Sequence, residues 1–179
     1  MNPIFSKYKA VMLYVLNETG GNMGRHQLFK IIYFANIEHL AVYGRGIIDD
    51  RFVAMENGPV PSKLYDIIKD YGNPHTPVDW KYIHDSIRVV KKGKHSVIFP
   101  VDFADEDELS ISEIDCLRKS VTENKDLKFK DIVYKSHKDA WNNAYSKKPN
   151  SNMDIFDMAK EGGASDDMLD YIEDINYCF

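Results

Sequence analysis

Cysteine is scarce in this chain. Cys116 and Cys178 are the only two among 179 residues, and neither belongs to a CxxC pair. A disulfide framework is therefore not expected, and a cytoplasmic home is the simplest reading. Cys116 falls in a helix pattern and is expected to be a small buried hydrophobe. Long apolar runs are missing too: none reaches the roughly 18 residues expected of a membrane span. The opening MNPIFSKYKA has no long apolar core of the signal-peptide kind. Phosphate-binding glycine loops are absent, since Gly44-Arg45-Gly46 is only a short G-x-G. No HExxH or clustered Cys/His pattern occurs, and the six histidines are dispersed, so neither a metal nor a cofactor is expected. Ser62 and Ser136 lack a glycine-flanked nucleophile elbow. A Cys116–His137 nucleophilic pair is conceivable, but Asp115 beside Cys116 disfavours the thiolate, and a structural cysteine is the stronger reading.

What is present is a hydrophobic fraction of 44%, enough for a sizeable core, and a net charge of −5 that is unevenly placed. From Asp154 onward eight carboxylates face one base, Lys160, a formal −7 that leaves +2 for residues 1–153. A second acidic cluster spans Asp102 to Asp115. This balance argues against broad nucleic-acid binding, which needs dense Lys and Arg, and suits a basic protein partner.

The periodicity is mostly helical. Tyr8, Val11, Met12, Val15 and Leu16 give an amphipathic stripe over residues 6–17. Residues 24–43 are apolar almost all round, as in a helix at the centre of a domain, and Gly44 and Gly46 end it. An extended segment is expected over 51–56, then a break at Gly58-Pro59 and a helix over 61–71. Residues 87–90 and 96–99 read as two strands joined by a glycine-containing loop. Ser110 and Glu113 fit a capping box, with Leu109 and Ile114 placed for a hydrophobic staple. Phe129, Ile132, Val133 and Ser136 mark another helix, and Trp141, Ala144 and Tyr145 a final one before the polar stretch at 147–150. Two short amphipathic helices follow, one ended by Gly162-Gly163 and one capped by Ser165. The fold class expected is mainly α (α+β): a compact helical domain with a small antiparallel β-hairpin, winged-helix-like at most, plus a C-terminal helical tail.

Three blocks carry the functional signal: LFKIIYFANIEHLAVYG from Leu28, RFVAMENGPVPSKLYDII from Arg51 and SHKDAW from Ser136. In this order and spacing they resemble the Panacea domain, the SocA-like antitoxin family of bacteria and their phages. The likeness runs over residues 1–145, and the FVAMENGPVPSKLYD block, with Gly58-Pro59-Val60 at its heart, is the most specific part. The resemblance implies a non-enzymatic inhibitor that binds a cognate protein toxin directly. It also implies a possible role as an adaptor to an ATP-dependent protease. It divides the chain into a Panacea domain over 1–148 and an acidic helical extension over 149–179. That extension is expected either to pack on the body or to lie in a partner's groove, its removal leaving the body folded.

Candidate partner-binding residues follow from the blocks: Arg51, Glu56, Asn57, Gly58, Pro59, His137 and Trp141. As structure, Asn57 and Gly58 supply turn chemistry and Glu56 caps the next helix. As function, a rigid turn presents polar side chains with little entropy to lose. His137 and Trp141, spaced i, i+4, are either an aromatic anchor or a core tryptophan whose histidine neighbour satisfies a backbone carbonyl. Arg88, Lys91, Lys92 and Lys94 are the alternative: three helices and a basic hairpin suit a winged-helix regulator touching phosphates. The plainer reading is a solvated hairpin tip whose lysines discourage edge pairing.

Overall fold

The computed structural model describes residues 2–93 and 95–177. Its first helix, α1 (Pro3–Glu18), starts where Asn2 accepts from the Ile4 amide and Pro3 occupies a position that needs no donor. After the Gly20-Gly21 break, a two-residue strand, β1 (Met23–Gly24), leads directly into α2 (Arg25–Tyr43). Because α2 is apolar on nearly every side, it becomes the axis of the core and packs against α1 and much of the later chain. Gly44, at φ 70°, ends it with its N–H on Leu40 O, as expected of glycine after a helix.

The segment after α2 is a hairpin, β2 (Phe52–Met55) and β3 (Gly58–Pro61), with Phe52 opposite Pro61 and Met55 opposite Gly58. The reversal therefore falls on Glu56-Asn57. Gly58-Pro59, expected to break the chain, instead begins a strand, with Gly58 at φ 96°. α3 (Ser62–Lys69) follows. Its free Lys63 and Leu64 amides donate to Asp50, at 2.9 Å and 3.1 Å, so the cap expected of Glu56 comes from Asp50.

α4 (Val78–His84) precedes the long hairpin of β4 (Ile87–Lys92) and β5 (His95–Pro100). β1 pairs with the far edge of β5, giving a three-stranded antiparallel sheet in the order β1-β5-β4. A short 3-10 turn (Glu106–Glu108) precedes α5 (Ile111–Asn124), whose capping box forms as expected. Glu113 is only 1% exposed and accepts from Lys7 at 2.8 Å and Arg45 at 3.3 Å. Cys116 lies buried in α5, its thiol pushed up to about 11 by burial and by Glu38. Cys178 lies outside the described residues.

α6 (Phe129–Ser136) and α7 (Asp139–Lys147) complete the body. The next residues turn back onto β2. Ala54 donates to Ser151 O at 2.9 Å, Asn150 to Ala54 O at 3.0 Å and Met153 to Phe52 O at 2.8 Å. α8 (Ile155–Glu161) then lies against α2 so closely that a Cβ at Gly162 would collide with Ile37 O. α9 (Asp166–Tyr177) follows, with Ser165 Oγ accepting from the Met168 amide. The architecture is mainly α with small antiparallel sheets, as the sequence implies. β1 and α4 are additions: two residues are too few for a strand signal, and α4 is short.

Candidate functional site

The β2–β3 turn is held from three directions. Trp141, 8% exposed on α7, donates its Nε1–H to Met55 O at 2.9 Å, fixing the residue before the turn. Lys30, fully buried on α2, donates to Pro59 O at 2.6 Å, fixing the residue after Gly58. Ser136, at the end of α6, closes on Gly58 itself. A Cβ there would lie 2.8 Å from Lys30 Cε and nearer still to Ser136 Oγ. Glycine is required twice over, by φ 96° and by these neighbours.

His137 lies flat on Trp141, ring centroids 3.7 Å apart and planes 4° from parallel. Tyr145 continues the stack on the other side of Trp141 at 4.5 Å and 16°. Stacking holds the histidine, whose ring makes no bond to a backbone carbonyl among the described residues. Its Nε2 is buried with no partner among the described residues. Burial, aided by Lys30, holds the His137 pKa below the ordinary imidazole range. Among the described residues no carboxylate pairs with Lys30, and burial brings its ammonium down to about 7.

Above this buttress the turn borders a cavity of about 240 Å³. Phe29, Met55, Val60 and Tyr65 form its apolar wall, while Arg25, Glu56, Asn57 and Asn150 bring polar groups to it. Asn150 adopts φ 62°, a left-handed conformation that asparagine tolerates. The volume is below the roughly 300–1,000 Å³ of small-molecule sites and suits one large side chain. Larger clefts of about 380 Å³ and 550 Å³ share Lys138 and Glu161, and their rims mix charges of both signs.

The sequence-predicted residues thus separate into groups. Glu56 and Asn57 stand at the cavity rim. Gly58 and Pro59 are buried in the strand behind them, and Trp141 with His137 forms the support. Arg51 lies elsewhere: it precedes β2, a strand's length of roughly 13 Å from the turn, in a separate cleft with Tyr8, Asp50 and Lys63. Arg88, on β4, is exposed and sits over the Phe99 ring at 4.3 Å, while Lys91 is exposed near the strand end. Lys92 closes β4 opposite His95, and Lys94 lies outside the described residues. Sequence reasoning missed Arg25, Lys30, Tyr65 and Asn150. Lys30 carried a signal, as a lone cation inside an otherwise apolar helix. The others meet only through tertiary packing.

A family model described as "Antitoxin SocA-like, Panacea domain" matches residues 28–142. The chain belongs to this family. The matched span takes in Lys30, the whole turn, Ser136, His137 and Trp141, so the buttressed hairpin falls within the Panacea domain. No curated protein and no solved structure matches the chain. The family is named for antitoxins, which agrees with an antitoxin role and a toxin as partner. Among the described residues, no helix is long and apolar enough to cross a membrane, and no group of three or more His, Cys, Asp or Glu side chains is placed to hold a metal ion.

Proposed function

We propose that this chain is an antitoxin that silences a cognate protein toxin by direct binding, without catalysis, and that the Glu56-Asn57 end of the molecule makes the contact. The observation that carries the reading is the fixed turn within the matched family span. Trp141 and Lys30 hold the carbonyls on either side of it, and Gly58 is closely enclosed. A preorganised turn loses little entropy when it docks, which is what a tight inhibitor needs. Glu56 and Asn57 are the contact residues, Gly58 and Pro59 shape them, and the His137–Trp141 stack supports them. Arg51 extends the contact only to a partner that covers the length of the hairpin.

The test is co-expression with a neighbouring open reading frame that is toxic alone. The wild-type chain restores growth. The double variant Glu56→Arg, Asn57→Arg folds, because both side chains stand at the rim, yet loses roughly tenfold or more in affinity and no longer protects. Full protection by that variant removes the turn from the interface. A neighbour that stays toxic in the presence of the intact chain overturns the antitoxin reading.

The β1-β5-β4 order also favours a second reading, a winged-helix regulator of its own operon. The helices before the wing speak against it. α3 sets Lys63 and Lys69 against Asp66, and α4 sets Lys81 against Asp79. Neither is the dense positive face that phosphate contacts need. Gel shifts on upstream DNA, repeated with Lys91, Lys92 and Lys94 changed to Ala, separate the two readings.

A further inference from the structure

Arg25 stands between two cavities. The one beside the turn, about 240 Å³, ends at Arg25 and His26. A second, about 180 Å³, begins at the same two residues and is walled by Val97, Leu127, Phe129 and Ile132. The Arg25 guanidinium lies over the Tyr65 ring at 5.1 Å, and Lys69 Nζ approaches the same ring at 5.7 Å. Arg25 forms no ion pair and donates no hydrogen bond among the described residues, and its Nε is shielded from water with no partner. The two Nη groups are not among the shielded atoms, and guanidinium geometry matches a carboxylate fork. His26, its pKa lowered to about 4 by burial and then by Arg25, is neutral near pH 7 and adds no competing charge. Glu56 is exposed to solvent, so its repulsion of an incoming carboxylate is screened by water.

We infer that this groove receives an extended segment of a partner protein in which an acidic side chain, bonded to Arg25, lies between two apolar side chains that fill the two cavities. The inference rests on the reading that this end of the molecule is the partner face, and it names the chemistry the partner presents there. Alternate side chains of an extended strand point to one side, roughly 6.6 Å apart, so the matching pattern is apolar-x-acidic-x-apolar.

The probe is the peptide Ac-Phe-Ser-Glu-Ser-Leu-NH2, titrated into the isotope-labelled full chain and followed by NMR. Its control replaces the glutamate with glutamine. Signals of Arg25 Nε–H, Asn57 and Val97 shift on adding the first peptide, and the control binds roughly tenfold more weakly, as expected for loss of a charge-assisted bond. Arg25→Gln removes the preference between the peptides, while Arg25→Lys keeps part of it, because the charge remains and the fork is lost. Melting curves of both variants establish that they fold, and the Lys variant carries the test if the Gln variant does not. Equal binding of both peptides, shifts elsewhere on the surface, or an unchanged preference in Arg25→Lys and Arg25→Gln overturns the inference. In the toxin assay the failures separate: loss of protection with Glu56→Arg, Asn57→Arg but full protection with Arg25→Gln keeps the antitoxin reading and removes this one.

Discussion

Gly58 and Lys30 shape the turn together, because Lys30 holds Pro59 O and lies where a Cβ on Gly58 would go. Replacing Gly58 with Ala forces a side chain into φ 96° and into Lys30 and Ser136. Gly58→Ala is expected to cost roughly 2–4 kcal/mol, the sum of backbone strain and overpacking. At about 2–4 °C per kcal/mol for a chain of this size, the thermal midpoint falls by roughly 4–16 °C. An unchanged midpoint would mean the turn relaxes freely. Lys30 makes a pH prediction. Burial lowers its ammonium from 10.5 to about 7 in the folded state, so between these values the unfolded chain binds more protons. Stability therefore rises with pH through that window. Cys116 acts in the opposite sense above 9.0, where its unfolded thiol ionises before the folded one. His26 changes stability only between about 4 and 6.5. The urea midpoint of the wild type should thus climb from about pH 7 to 9, and that of Lys30→Met should stay flat over the same range.

The start of α5 joins sequence logic to tertiary structure. Ser110→Ala removes one cap bond and is expected to cost about 1 kcal/mol. Glu113→Gln leaves Lys7 and Arg45 without their shared carboxylate and is expected to cost about 2 kcal/mol, less than a fully buried pair because both cations reach water. Burial alone would raise the Glu113 carboxyl, but Lys7 and the Ser110 amide outweigh it and hold it below the ordinary range. Its contribution is present above the ordinary pKa of 4.5 and is lost on acidification, so paired melts at neutral and acid pH should show less acid sensitivity in Glu113→Gln. The capping box was legible because all its atoms come from four consecutive residues. The α2 stripe and its glycine stop were legible for the same local reason. The cap of α3 was not, since Asp50 reaches it from across the hairpin while Glu56 stands nearer in sequence. β1 was invisible because its existence depends on β5, more than seventy residues later. The turn could be located by its Gly and Pro, but its rim mates Arg25 and Asn150 come from far along the chain in either direction.

At the scale of the molecule, the last thirty residues are joined to the body by groups that the body needs. Residues 150–153 satisfy the outer edge of β2, which would otherwise present unpaired Phe52 and Ala54 backbone groups. Glu161 accepts from Tyr33 Oη at 2.9 Å on the central helix and from the Ala140 amide at 3.1 Å at the start of α7. Burial raises this carboxyl above its ordinary range and raises the Tyr33 hydroxyl as well. Without the tail, Tyr33 and Ala140 lose their acceptor, and the face of α2 that receives Gly162 meets water. A chain ending at Lys148 should therefore melt roughly 6 °C or more lower, since a few buried bonds and one helix face together exceed roughly 3 kcal/mol. Glu161→Gln should fall between the two, because it retains one acceptor oxygen and all the packing. Circular dichroism melts of the three proteins decide the matter. A truncated chain as stable as the whole would make residues 149–179 an independent module, and any loss of toxin protection on truncation would then report contact with the partner. If the midpoint falls as expected, the same loss follows from a loosened turn, because Trp141 lies on the helix whose Ala140 amide Glu161 holds.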